Sequence, residues 1–471
     1  MPQRSRHGGA RKTQRPRAKV DAARRAAYDV IHAVSVRDAY ANLALAATLR
    51  ERGLSGKDAA FATELASGTL RRRGSYDAVL TRCVQRPLRK LDAEVLDVLR
   101  MGAHQLLGMR VPAHAAVATS VDLARSVAGV SVTSFVNAVL RKVAARDVDE
   151  WLAEIAPAYD TDPVGHLAVV HAHPPWIVQA FQEALGGSLD ETAALLAADN
   201  EPASVTLAAR PGRSTVEELI DAGARRGRWS PYAAVLESGD PYAIPAVAEG
   251  RAGVQDEGSQ LVTNALAAVT IEGRDSFWLD MCAGPGGKAA LLASLAADRS
   301  AGLVAGDVAP HRAALTARAL RAQDGRWVPG ALGTVVADGR AGPWRSGAFD
   351  RVLLDAPCTG LGALRRRPES RWRRTPEEPA ELQRLQIELC HKALDAVRVG
   401  GVVAYVTCSP HLAETRDVVT AVLESRDDVV RVDARPYLPG VPELGEGPDV
   451  QLWPHRHGTD AMYLALLKRA A

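Results

Sequence analysis

The chain has 471 residues, 47% hydrophobic and 24% charged, with a formal net charge of +3. That is enough for about two to four domains with cores of their own. No run approaches about 18 uncharged apolar residues, which argues against a membrane span, and the polar, arginine-bearing start argues against a secretory signal.

Residues 1–18 are polar and basic and are expected to be a disordered tail. Seven basic residues and no acid lie between Met1 and Lys19 (Arg4, Arg6, Arg11, Lys12, Arg15, Arg17 and Lys19). From 19 to 148 the apolar spacing is helical. Tyr28, Ile31 and Val34 share one face, as do Leu65, Thr69 and Leu70 on a later one. Val95, Leu96, Val98, Leu99, Gly102 and Leu106 predict a helix ahead of Pro112. Two more follow, at 115–127 and 132–143, punctuated by Gly129. The expectation is an all-α domain of at least five helices.

Residues 149–255 are expected to hold further helices, broken at His173-Pro174-Pro175-Trp176, and then a small α/β subdomain. That subdomain starts with a strand at 204–207 and a helix at 215–222. From 256 to 471 apolar runs alternate with helical stretches, the runs being 276–279, 302–305, 333–336, 351–354 and 402–406. This alternation predicts a doubly wound parallel sheet with its ligand at the carboxyl ends of the strands.

The first of those runs leads into Cys282-Ala283-Gly284-Pro285-Gly286-Gly287-Lys288, a glycine turn ahead of a helix. Such a turn brings backbone N–H groups close to a ligand. It is not a phosphate-binding P-loop, because Ala289 follows Lys288 where a magnesium-binding hydroxyl is required. Acids stand at the ends of the next three runs. Asp307 is suited to ribose hydroxyls and Asp338 to an adenine amino group, and Asp355 comes third. All three point to a nucleoside cofactor.

Five cysteines occur, at 83, 282, 358, 390 and 408. They show no Cys-x-x-Cys pair and no Cys/His cluster, so no metal site is expected, and the thiols fit a reduced cytoplasmic protein. Cys83 and Cys390 read as inert core residues. Cys358, in Asp355-Ala356-Pro357-Cys358-Thr359-Gly360, and Cys408, in Thr407-Cys408-Ser409-Pro410, fall on loops at the ligand edge. Carbon 5 of a pyrimidine is too weak a nucleophile to take a methyl group directly. A thiolate adding to carbon 6 makes it enamine-like, and a second group near carbon 5 assists elimination. Two thiols beside a cofactor loop fit that chemistry. The basic tail and a second basic run, with six arginines between Arg365 and Arg374, favour phosphate contacts.

Together these segments resemble the NOL1/NOP2/Sun family of RNA cytosine-C5 methyltransferases. Further matching stretches are Gln255-Asp256-Glu257-Gly258-Ser259-Gln260, Arg367-Pro368 with Arg371-Trp372, and Trp453 to Asp460. The resemblance implies a Rossmann-like class I methyltransferase domain and S-adenosylmethionine as donor. It also implies Cys408 as nucleophile and Cys358 as the residue assisting product release. The DNA enzymes use the Pro-Cys cysteine as nucleophile, and Thr407-Cys408 separates the two assignments. Asp355 is then expected between cofactor and cytosine.

Gly68-Thr69-Leu70-Arg71, the stretch from Arg100 to Leu107, Val111 to Ala116, and Phe135 to Arg141 resemble a NusB-type RNA-binding domain. A NusB-like domain joined to this catalytic domain is similar to bacterial small-subunit rRNA methyltransferases. It implies 16S rRNA as partner; the enzyme is expected to be a monomer. The chain departs from the family at Ala208-Ala209-Arg210, where Arg-Val-Asn is usual, and at Asp460-Ala461-Met462-Tyr463, where Asp-Gly-Phe-Phe is usual. A tRNA cytosine methyltransferase and a non-catalytic RNA-binding assembly factor stand as alternatives.

Overall fold

A computed structural model describes residues 20–470; the basic tail expected at 1–18 lies outside them. The chain forms two compact units, one ending at Ile155 and the other beginning at Ala156.

The first unit is helical throughout its described residues: α1 (Ala22–Arg37), α2 (Ala41–Glu51), α3 (Gly56–Arg71), α4 (Arg73–Cys83), α5 (Ala93–Leu107), α6 (Ala113–Ala128), α7 (Thr133–Val143) and α8 (Val148–Ile155). The Asp21 side chain starts α1 by accepting from the Arg24 N–H, which satisfies one of the unpaired donors of the first turn. Helix α5 is central, packing against α1, α3, α4, α6 and α7. Its Val95, Val98, Leu99 and Met101 are buried, as are Tyr28, Ile31 and Val34 of α1. The expected helical faces are the core faces. Helices α2 and α4 had no clear counterpart in the sequence pattern, since α2 buries only Ala41 and carries little periodic signal.

The second unit opens with α9 (Pro163–Val170), α10 (Pro175–Ala184) and α11 (Leu189–Ala198). A small antiparallel sheet follows, of β1 (Val205–Ala209), β2 (Arg225–Arg226), β3 (Ala233–Leu236) and β4 (Ala252–Val254) in the order β2-β3-β1-β4, with α12 (Val216–Asp221) and α13 (Pro245–Ala248). Then come α14 (Glu257–Ala268), β5 (Phe277–Asp280), α15 (Gly287–Ala297), β6 (Gly302–Asp307), α16 (Pro310–Ala319), β7 (Ala331–Val336), β8 (Phe349–Asp355), α17 (Glu378–Ala396), β9 (Val397–Thr407), α18 (Arg416–Glu424), β10 (Val429–Val432), β11 (Val450–Gln451), α19 (Pro454–His457) and β12 (Tyr463–Arg469).

The large sheet runs β10-β12-β9-β8-β5-β6-β7, with β11 pairing to β12. Strands β9, β8, β5, β6 and β7 are parallel, as expected. The purely parallel sheet needs correcting at one side: β12 is antiparallel to β9, and β10 to β12. Residues 463–467 are a short apolar run, and such a run by itself does not distinguish a buried strand from a buried helix.

Helices cover both faces of the sheet, so successive residues of one strand enter different cores. Val402, Ala404 and Val406 of β9 join the core containing α14 and α15, whereas Val403 and Tyr405 join the core containing α17 and α18. Strand order reverses at β5. From it the chain builds β6 and β7 on one side, then β8 and β9 on the other. The crevice between the carboxyl ends of β5 and β8 is therefore the topological switch point, where ligands bind in sheets of this kind. Among the described residues no helix is long and apolar enough to cross a membrane.

Candidate functional site

The turn after β5 is tied into the sheet on both sides. Met281 N–H donates to the Leu353 carbonyl at 2.9 Å, and Ala283 N–H to the Gly306 carbonyl at 2.8 Å. Gly284 N–H donates to Asp307 Oδ2 at 3.1 Å. A Cβ on Gly284 would lie 2.4 Å from that same oxygen, so only glycine permits the approach. Asp307 also accepts from Ala309 N–H and pairs with Arg312 at 3.1 Å. It is buried, and its present bonds join the β5 and β6 loops. Asp338 stands apart from that group. Its carboxylate caps the turn beyond β7 and is gripped by Arg340 at 2.7 Å on the surface.

Three observations test whether S-adenosylmethionine fits here. The Gly286–Gly287 step presents the start of α15 to the crevice. Beneath it, Asp280 is fully buried with no side-chain donor on either oxygen, and burial, then Asp355, push its pKa well up against the opposing pull of Lys288 and the Cys282 N–H. A cationic ligand carrying an ammonium group relieves that situation. Val308 and Val336, at the ends of neighbouring strands, are 56% and 54% exposed and offer apolar ground for a flat ring. The residues present fit the group.

Across the switch point, Lys288 Nζ pairs with Asp355 Oδ2 at 2.8 Å. Burial works against the lysine's charge, but Asp355 and Cys408 more than offset it, and the Lys288 pKa is raised. Cys358 follows β8 and Cys408 follows β9, adjacent parallel strands. Their sulfurs lie 3.4 Å apart. Gly362 N–H donates to the Cys408 carbonyl at 2.8 Å, holding one cysteine loop against the other. The two thiols are driven in opposite directions. The hydrogen bond from Cys358 is the main cause that lowers the Cys408 pKa; burial and Asp355 oppose it, and Lys288 assists. The same bond, then burial, the Cys408 charge and Glu414, push the Cys358 thiol well up. The geometry sets the two sulfurs within reach of one shared proton beside partly buried Lys288, and the electrostatics favour the charge on Cys408.

The other three cysteines take no part in this pair. Cys83 and Cys390 are buried in cores, as the sequence suggested. Cys282 lies in the cofactor turn, its thiol pushed up by burial and then by Asp280.

The arginine run at 365–374 needs a second correction. Arg366 bonds Asp256 Oδ2 at 2.7 Å and Asp460 Oδ1 at 3.0 Å. Arg371 is fully buried and donates to Asn200 Oδ1 at 2.8 Å and the Asp199 carbonyl at 2.7 Å. Arg374 pairs with Glu378 at 2.7 Å. Arg374 is partly exposed and makes only a local ion pair; Arg366 and Arg371 are internal cross-links, because a buried guanidinium requires partners for its fork of donors. They are not free for phosphate. Likewise Arg210, in the small subdomain, is buried and donates to the Gly250 carbonyl.

Sequence reasoning missed Glu414 and Gln386, which lie behind the cysteine loops. It also missed the pairing of Lys288 with Asp355. Ser409 is a local partner of Glu414, but Thr359 and Gln386 come from other segments of the chain, so nothing near Glu414 announces the cluster.

The sequence pattern of the family described as "16S rRNA methyltransferase RsmB/F" matches residues 268–468, and that of the NusB family matches residues 21–145. The chain is 52% identical to the Mycobacterium tuberculosis protein Rv1407 over 96% of its own length and 98% of that protein's. It is 30% identical to ribosomal RNA small subunit methyltransferase B of Pseudomonas syringae pv. tomato, over 90% of each chain. Among solved structures it resembles that of PH0851, with a TM-score of 0.79, 22% identity, and 95% and 98% of the two chains covered. At that identity the likeness concerns the fold. A NusB region followed by the matching catalytic sheet identifies the chain as a member of the RsmB/F family of methyltransferases, which take their methyl group from S-adenosylmethionine.

Proposed function

We propose that this protein methylates carbon 5 of a cytosine in 16S rRNA through a covalent bond between Cys408 and carbon 6. The observation that carries the reading is the sulfur pair, 3.4 Å apart on adjacent strand ends, with Cys408 favoured as thiolate. In this reading residues 19–148 are a NusB-like RNA-binding domain. Residues 149–255 are linker helices and a small subdomain, residues 256–471 carry catalysis, and the enzyme works as a cytoplasmic monomer.

The cofactor is held by the turn from Cys282 to Lys288 (Cys282, Ala283, Gly284, Pro285, Gly286, Gly287 and Lys288), with Asp307, Asp338 and Asp355. When bound, S-adenosylmethionine supplies the electrophilic methyl group. The Cys408 thiolate adds to carbon 6 and its electron pair makes carbon 5 nucleophilic. In this reading Asp355, tied to Lys288, bonds the cytosine at its amino group or N3 region. Once Cys408 is bonded to carbon 6 it no longer carries charge. The largest reason for Cys358 to keep its proton has then gone; Cys358 gives that proton to water and, as a thiolate, takes the proton from methylated carbon 5. The carbon–sulfur bond breaks and Cys408 leaves as thiolate. A base buried in a duplex cannot reach these sulfurs, so the target cytosine is extruded or unpaired.

The test is transfer of labelled methyl from S-adenosylmethionine to naked small-subunit rRNA and, in parallel, to tRNA. A single 5-methylcytosine in rRNA supports the reading. Label in tRNA alone overturns the substrate, and label in neither, with no cofactor binding by calorimetry, favours a non-catalytic RNA-binding factor.

A further inference from the structure

Glu414 lies in the turn after β9 and no part of its side chain reaches solvent. Its carboxylate takes four donors. Oε1 accepts from the Thr359 N–H at 2.7 Å and from Gln386 Nε2 at 3.3 Å. Oε2 accepts from the Thr359 hydroxyl at 2.5 Å and from the Ser409 hydroxyl at 2.6 Å. Thr359 follows Cys358 and Ser409 follows Cys408, so one carboxylate holds both cysteine loops at the residue beside each sulfur. The clamp is itself held. The Tyr405 hydroxyl donates to the Glu414 carbonyl at 2.8 Å, and Gln386 Nε2 also donates to the Pro357 carbonyl at 2.8 Å.

These four donors are neutral. A buried carboxylate satisfied this way is costly to disturb, because each lost donor leaves charge uncompensated in a medium without water. The electrostatics are also unequal. Asp355 and Glu414 both act on Cys358, whereas the charges acting on Cys408 are Asp355, Lys288 and Asp460. Glu414 thus acts against a thiolate at Cys358 and is not among the largest influences on Cys408.

We propose that Glu414 is a positioning residue that holds the two sulfurs in register, and with them the hydrogen bond that makes the two thiols unequal. The inference rests on the covalent reading above and deepens it. Glu414 acts through Thr359 and Ser409 and makes no contact with RNA, since it is sealed from solvent.

The test uses the full chain as Glu414→Gln and Thr359→Val. Alkylation of Cys358 and Cys408 by iodoacetamide is followed against pH by mass spectrometry without RNA, alongside kcat and KM for methyl transfer. In the unmodified protein Cys408 reacts at lower pH than Cys358. In Glu414→Gln the two profiles converge and kcat falls about 10- to 100-fold, the loss that a small misplacement of reacting groups produces, while KM for RNA changes less than about twofold. Thr359→Val removes one donor and shifts both readouts the same way by less; it carries the test if Glu414→Gln does not fold. Unchanged alkylation profiles in a folded variant overturn the proposal, whether or not kcat falls, since a merely structural role leaves the thiols as they were. Failure of the covalent reading has a different signature: full transfer by Cys408→Ala with the alkylation profiles behaving as described.

Discussion

Lys288 and the two cysteines set the chemistry at the scale of single residues. The Cys408 thiolate is favoured by the bond from Cys358 and by the nearby lysine, so its reactivity falls only as pH drops through a value below that of an ordinary thiol. Replacing Lys288 with Met removes the cation and leaves Asp355 unpaired beside the sulfur. The Cys408 alkylation profile should then move to higher pH, which iodoacetamide trapping measures directly. The two cysteines should also separate in their failures. Cys408→Ala should abolish labelled methyl transfer. Cys358→Ala should retain attack but lose release, accumulating a covalent RNA adduct visible as a slow band on a denaturing gel. Full activity in Cys408→Ala would contradict the assignment of the nucleophile.

Two elements far apart in sequence are joined by buried charge. Asp256, at the start of α14, and Asp460, before β12, share Arg366. Arg365 also reaches both acids, at 3.8 and 3.5 Å, so Arg366→Ala leaves them one guanidinium of two, and the cost should be about 1.5–3 kcal/mol, the scale of lost hydrogen bonds to a charged group, read as a fall in the denaturant midpoint. Asp199, at the end of α11, poses a different problem. Both its oxygens lack a hydrogen-bond partner, and burial, offset in part by Arg371, raises its pKa from 3.8 to about 7. For an acid whose folded pKa is raised, stability is fully present below the unfolded value and is lost as pH rises through the folded one. The protein should therefore lose stability between about pH 4 and 7 at this site, and Asp199→Asn should flatten that part of the thermal-midpoint profile. A profile equally steep in the variant would show that Asp199 does not titrate in this range. These elements also show where reading ahead of the structure failed. The arginine run looks like a phosphate-binding face because six positive charges sit close together, yet the acids that neutralise Arg366 are 110 and 94 residues away. Local charge density does not reveal such partners.

At the scale of the whole chain, the two compact units divide the work expected of an RNA-modifying enzyme. A fragment of residues 20–155 should fold as a helical domain and bind RNA with strong salt dependence. A fragment of residues 156–471 should still bind S-adenosylmethionine by calorimetry but should transfer methyl groups to rRNA poorly. Equal transfer by the shorter catalytic fragment would remove the helical unit from substrate recognition.

The helical faces of the first unit, the alternation of the second, the glycine turn and both cysteine motifs were legible in the sequence alone. Each depends on neighbours within a few positions, where periodicity and turn chemistry act. The 3.4 Å sulfur contact, the opposed tuning of the two thiols, the Lys288–Asp355 pair and the Glu414 clamp were decided only by tertiary structure. The sulfur contact, the lysine–aspartate pair and the Glu414–Thr359 contact join residues 50 to 67 positions apart. Strand order and register set such distances, and the antiparallel β12 that flanks β9 is part of that register. The physical reason is that side-chain chemistry is written locally, whereas proximity, burial and the field at a sulfur atom come from chain segments that meet only in the folded sheet.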